Sequence, residues 1–270
     1  MSELPQVEIG VFGGSGFYEL LDDARPVTVE TPFGTTSDEI MVGNIGGRSV
    51  AFMPRHGKSH SLPPHEINFR ANIWTMKELG VQQIIGPNAA GSLQLDIHPG
   101  DFVVLDQFVD RTRGRKDTFF TAESGKPVTH ISSADPYCPG MRDAAVAAGT
   151  HLELPLHKTG TVVVIQGPRF STKAESEWFT KMGWSTVNMT QYPEAYLARE
   201  LEMCYCGISL ITDYDAGLGV HAAVTMDEAL RVFAENIDKM KSLIYDMVPR
   251  LPEAADRLCD CPTATGGSEM

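Results

Sequence analysis

Apolar residues run along the chain in short blocks set off by glycine, proline and polar turns, and the blocks alternate in period. Val7 to Phe12 is an unbroken apolar run ending at Gly13-Gly14-Ser15-Gly16, which predicts a buried strand followed by a glycine-rich turn. Short strands are predicted over Val27 to Glu30, Ile40 to Val42 and Ser49 to Met53. Glu66 to Leu79 switches to helical spacing through Ile67, Ala71, Trp74, Met76 and Leu79, and Gly80 follows as a stop. Val81 to Ile85 predicts another strand, with a turn over Asn88 to Ser92.

Asp101 to Val109 predicts strand and edge, and the polar, glycine-punctuated segment Asp110 to Thr121 predicts a mobile loop. Further helices are expected over Arg142 to Ala148, Thr172 to Met182, Glu194 to Leu201 and Met226 to Leu243. Further strands are expected over Gly160 to Gln166, Thr186 to Met189 and Cys204 to Thr212, the last opening into Asp213-Tyr214-Asp215. Without repeats or linkers, this alternation predicts one α/β domain over residues 1–252 with much of its sheet parallel. The tail, residues 253–270, turns polar and is expected to be partly disordered.

Composition narrows the function classes. Hydrophobic residues make up 42% of the 270 and charged residues 21%, enough for a packed core and too little charge for disorder. The net charge of -13 argues against nucleic acid or an anionic membrane as partner, since each needs a basic footprint. An anion held by so acidic a chain needs a concentrated local set of donors. Met1 to Glu8 lacks a basic start, and no stretch approaches the ~18 apolar residues of a spanning helix, so the cytoplasm is the expected compartment. The five cysteines, including Cys204, Cys206, Cys259 and Cys261 in two C-x-C pairs, read either as free thiols or as disulfides.

Four turns after strands carry polar residues that can converge: Ser15, Arg55-His56, Asn88 and Asp213. Gly13 to Gly16 offers backbone N–H groups and a hydroxyl to an anion, but equally reads as a tight structural turn. It is not a dinucleotide fingerprint, because Glu19 stands where the third glycine belongs, and it lacks the lysine of a P-loop. Arg55 offers a bidentate fork for an oxyanion, or a surface ion pair, and His56 a tunable donor. His60 and His65 follow without zinc spacing, so no metal is expected there. Asp213 and Asp215 are close enough to push one carboxyl pKa upward, giving a protonated donor near neutral pH, or else form an ordinary Asx turn.

The whole set resembles the trimeric purine nucleoside phosphorylase family, in particular its methylthioadenosine phosphorylase branch. The matching strings run from Ile9 to about Leu243. They include Gly13-Gly14-Ser15-Gly16, Thr31-Pro32-Phe33-Gly34, Arg55-His56-Gly57, Gly91-Ser92-Leu93, Gly167-Pro168-Arg169-Phe170, Asn188-Met189-Thr190, Pro193-Glu194 and Thr212-Asp213-Tyr214-Asp215. The resemblance implies a mixed, partly barrel-like sheet flanked by helices and a phosphorolysis without metal or organic cofactor. It implies that Ser15, Arg55, His56, Asn88, Thr190 and the backbone at Ala89 hold phosphate. Phe170, Asn188, Met189 and Met226 would face the nucleoside, with Asp213 and Asp215 at the purine edge as the catalytic carboxylates. His130 would reach a neighbouring subunit's site in a homotrimer or dimer of trimers.

The chemistry at three positions favours methylthioadenosine. A 6-aminopurine suits the carboxylate of Asp213, whereas relatives acting on 6-oxopurines carry Asn there and Glu at the position of Ser171. Met226 suits a methylthio group and would leave a 5′-hydroxyl unpaired. Asn88 departs from the threonine usual in that branch and keeps a methylthioinosine or broad purine nucleoside phosphorylase as the alternative; a nucleotide-binding α/β module is the non-enzymatic one.

Overall fold

The computed structural model describes residues 4–13, 21–125, 127–216, 218 and 225–266, except the side chains of residues 226, 228 and 254. The first strand, β1 (Ile9–Gly13), is buried along its full length, as its unbroken apolar run requires. It pairs in parallel with β4 (Arg48–Pro54) and β5 (Gln83–Ser92). On the β4 side, β3 (Ile40–Ile45) and β2 (Asp22–Val27) continue the sheet as antiparallel strands. On the far side of β5 lie β10 (Thr186–Asn188), β9 (Thr161–Ile165) and β7 (Gln107–Arg111).

The longest ladder joins β5 to β11 (Cys204–Tyr214), which in turn carries β6 (Phe102–Val104) and β8 (Leu156–His157). Strands β6 and β7 are separated only by Leu105 and Asp106. The Leu105 N–H donates to Gly207 O at 3.0 Å and the Asp106 N–H to Gly160 O at 3.2 Å. The path from β5 through β10, β9, β7, β6 and β11 therefore returns to β5, and part of the mixed sheet curls into a barrel.

Helices cover both faces of this single α/β domain. Helices α1 (Phe69–Glu78) and α4 (Gln191–Glu200) close one core, built on Ile73, Met76, Leu197 and Ala198 with Phe12, Met53 and Tyr205. Helices α2 (Pro139–His151) and α5 (Met226–Met247) close the other, where Ala145, Met240 and Leu243 meet Phe52, Ile85 and Ile208. A smaller cluster packs Phe179 of α3 (Lys173–Lys181) on Val163 and Val187.

Several boundaries differ from expectation for identifiable reasons. Helix α1 starts at Phe69 because the Asn68 side chain accepts from the Ala71 N–H and caps it. Asn88 to Ser92 continues β5 instead of turning, since β11 pairs with it through Ser92. The 110–121 segment is pinned: Arg115 donates to the carbonyls of Gln166 and Met189, each at 2.9 Å, and Glu200 accepts from Thr118 Oγ1 and the Phe119 N–H. Through residue 266 the tail lies on the body, with Cys261 buried and Arg257 donating to Gln82 Oε1 at 2.6 Å.

Candidate active site

The ladder around β5 forks. One edge of β5 is covered by β11, while on the other β1 takes Gln83 to Ile85 and β10 takes Gly91 and Ser92. Among the described residues, 86–90 have no strand partner on that edge, and Ala89 is the one exposed residue of an otherwise buried strand. A split between parallel strands at their carboxyl ends is where α/β sheets receive ligands.

Arg55 enters this split from the end of β4, its N–H on Gly13 O at 3.0 Å. It is buried rather than a surface ion pair. Nε and Nη2 grip both oxygens of Glu194, at 2.7 and 2.6 Å, and Nη1 donates to Pro87 O at 3.1 Å. Burial alone would lower the guanidinium pKa, but the charge and hydrogen bonds of Glu194 outweigh it and hold the value above the ordinary one. Three of the five N–H groups are used in this way. Tyr205 Oη also donates to Glu194 Oε1 at 2.6 Å, and Gln191 Nε2 donates to Tyr205 Oη and to Gly86 O. Gly86 is obligatory here, because a Cβ on it would stand 1.8 Å from the Tyr205 hydroxyl oxygen.

Thr190, at the N-cap of α4, is buried, and its hydroxyl makes no capping bond to the helix. His56 Nδ1 lies 2.9 Å from Leu62 O, and its ring stacks on His60 at 4.4 Å. A carbonyl only accepts, so Nδ1 carries the proton and Nε2 is an acceptor in the neutral ring. Burial pushes the His56 pKa down to about 4, despite the Leu62 bond, with Arg55 and His60 adding to the fall.

Asn88 is committed to the fold. Its Nδ2 donates to Gly86 O and Ile208 O, and its Oδ1 accepts from Asn188 Nδ2 and Ser209 Oγ, both at 2.9 Å. The amide ties β10 and β11 to β5 across the split, and it is Ala89 that is exposed beside it.

The other end of the split is acidic. Between Ile211 and Asp213 the β11–β5 register slips, and this bulge re-aims Asp213 toward Gly91. Burial raises the Asp213 pKa to about 6; the Thr212 hydroxyl, donating to Oδ1 at 2.6 Å, opposes the rise and the Asp215 charge adds to it. Burial likewise raises Asp215 against the nearby Ser176 and Ser171 hydroxyls. Asp215 Oδ2, Asn188 Oδ1 and Ser171 Oγ are buried with no hydrogen-bond partner among the described residues. Phe170, 37% exposed, stands beside Ser171 in a loop fastened by the Arg169 fork on Glu175, both bonds 2.7 Å. Half-buried Met189 lies against Gly167, between the two ends.

A Cβ on Gly91 would sit 3.0 Å from Asp213 Oδ2 and 3.2 Å from Val187 Cγ1. Gly91→Ala is therefore expected to displace the Asp213 carboxyl and lower kcat/KM by about 10²-fold. A full thermal melt alongside the kinetics checks this; unchanged turnover would mean that the position of Asp213 does not matter.

Ser15, and the side chain of Met226, lie outside the described residues. His130 is exposed, and no described contact joins it to the site. Sequence reasoning left Glu194, Tyr205, Gln191 and Arg115 without roles. A charged Glu194 on the apolar face of a core helix was the available signal.

Residues 8–249 match the family model described as Phosphorylase superfamily. The purine nucleoside phosphorylase of Streptomyces coelicolor is 48% identical, over 100% of this chain and 98% of its own. S-methyl-5′-thioadenosine phosphorylases from Mycolicibacterium smegmatis (48%, covering 96% of each chain) and Thermofilum pendens (45%, covering 97% of this chain and 98% of its own) are similarly close. A variant of the Schistosoma mansoni adenosine/methylthioadenosine phosphorylase, solved with adenine, superposes with a TM-score of 0.93 at 35% identity, covering 98% of this chain and 99% of its own.

The chain belongs to the nucleoside phosphorylase family. It is a pentosyltransferase, and the reading as a non-enzymatic module falls. None of its described helices is long and apolar enough to cross a membrane.

Proposed function

We infer that this enzyme cleaves 5′-methylthioadenosine with inorganic phosphate, releasing adenine and 5-methylthioribose 1-phosphate in purine and methionine salvage. The observation that carries the reading is the acidic pair. Asp213, with its pKa near 6, can donate a proton at neutral pH, while Asp215 Oδ2, buried without a hydrogen-bond partner among the described residues, waits as an acceptor. An adenine edge offers the complement: N7 accepts and the 6-amino group donates. Ser171, in place of a longer acid, supports a 6-amino rather than a 6-oxo purine.

Phosphate binds at the opposite end, on the Arg55 guanidinium, the Thr190 hydroxyl, the Ala89 backbone and Ser15. His56 Nε2, an acceptor, takes a hydrogen bond from a P–OH group of the phosphate. The C1′–N9 bond breaks first, its electron pair passing into the purine, and the sugar becomes oxocarbenium-like between Asn188 and Met189. Asp213 protonates N7, a phosphate oxygen closes on C1′, and the P–OH proton restores the acid. Phe170 covers the base, and Met226 meets the methylthio group. No step needs a metal or organic cofactor. Assembly as a cytoplasmic homotrimer or dimer of trimers, with His130 entering a neighbouring site, completes the reading; the exposure of His130 supports it.

A panel of methylthioadenosine, methylthioinosine, adenosine and inosine, each with and without phosphate, tests this. Methylthioadenosine is expected to give the highest kcat/KM, with free base appearing only when phosphate is present. Preference for inosine-type substrates would assign the enzyme to the broad purine nucleoside class, to which the role of Asn88 also bears.

A further inference from the structure

Four of the five cysteines meet at one point far from the split. Cys138 immediately precedes α2, Cys204 opens β11, and Cys259 and Cys261 arrive from the C-terminal segment. All four Sγ atoms lie within 4.8 Å of one another, with Cys204 and Cys259 at 3.4 Å. Sulfurs bound tetrahedrally to zinc at ~2.3 Å stand about 3.8 Å apart, so this cluster already has the size of a tetrathiolate site. Three of the thiols are buried and Cys259 is partly exposed, which leaves an approach for an ion.

The surroundings suit a charged complex better than four neutral thiols. Four thiolates on a divalent cation carry a double negative charge, and two guanidinium groups face them. Arg257 Nη1 lies 3.5 Å from Cys204 Sγ, and Arg199 Nη1 lies 3.8 Å from Cys261 Sγ. Hydrogen bonds from positive groups to metal-bound sulfur stabilise such sites and hold their ligands in place. Cys206, two residues beyond Cys204 on the same strand, is buried but stands outside the quartet.

We propose that Cys138, Cys204, Cys259 and Cys261 form a structural site for a thiophilic divalent cation, zinc foremost. The ion staples the C-terminal segment to the start of β11 and to α2. Cys204 and Asp213 are at opposite ends of β11, roughly 30 Å apart at strand spacing, so the site takes no part in the reaction. Its effect is on stability, because a metal that binds only the folded chain adds its binding energy to folding.

The test uses the full chain, expressed with added zinc and purified without chelator. Elemental analysis is expected to find about one zinc per chain, and the denatured, non-reduced chain to have the mass of the fully reduced protein. Exchange into cobalt should give thiolate-to-cobalt charge-transfer absorption and tetrahedral d–d bands. Cys259→Ser with Cys261→Ser should lower zinc retention at least about tenfold and lower the melting temperature, while Cys206→Ser leaves zinc retention unchanged. Zinc-free protein with five free thiols would overturn the site. So would a wild-type mass two or four hydrogens short, which would make the quartet a pair of disulfides. Equal zinc loss in Cys206→Ser would also sink it. Should the double variant fail to fold, the metal content and cobalt spectrum of the wild type decide.

Discussion

Asp213→Asn is expected to lower kcat/KM for methylthioadenosine on the order of 10³-fold, the contribution of a well-placed general acid. Asparagine keeps the bond from Thr212 and the shape of the side chain, but it has no acidic proton to transfer to N7, and its amide N–H groups suit a 6-oxo acceptor rather than a 6-amino donor. Inosine-type substrates, whose 6-oxo group accepts, should lose at least tenfold less. Equal losses on both would remove Asp213 from base recognition. In the wild type, kcat/KM should fall as pH rises through the Asp213 pKa near 6, and that limb should vanish in the variant.

The same substitution should stabilise the fold. The folded-state pKa of Asp213 is raised from 3.8 to about 6. Below pH 4 the carboxyl is protonated in both states and costs nothing. Between the two values only the unfolded chain ionises, so the native state loses ground as pH rises, and above about pH 6 the full cost of burying the charge applies. Removing that charge is worth about 3 kcal/mol at pH 7. The melting-temperature difference between variant and wild type should therefore open between pH 4 and 6, and a difference independent of pH would contradict a buried carboxylate.

Glu194→Ala is the second large effect, and it acts on the phosphate end. The substitution leaves Arg55 charged and buried and strips the Tyr205 hydroxyl of its acceptor. Breaking a buried pair in this way costs about 3–5 kcal/mol. The freed guanidinium also loses the fork that aims it, so the KM for phosphate should rise more than tenfold while that for the nucleoside moves less. Denaturant unfolding and phosphate titrations measure the two effects. A stable variant with unchanged phosphate KM would show that the pair does not organise the site.

The chain's periodicity was enough to determine its α/β class, the order of its elements and their cores, because a buried strand or an amphipathic helix is set by local residue pattern. The site residues were legible as types at strand ends, since oxyanion forks and acid pairs are conspicuous in an acidic chain. Their partners were not legible. Glu194 and Tyr205 are brought to Arg55 by α4 and β11, from more than a hundred residues away, and no local pattern encodes that closure. Asn88 to Ser92 has the composition of a turn, yet pairing with β11 makes it strand, and Gly91 within it leaves room for Asp213. Tertiary structure also decided the fate of the cysteines, which in sequence are two C-x-C pairs and a distant single residue. Only the packing of the tail on β11 and α2 brings four thiols into one shell, because contact between remote segments is a property of the assembled core.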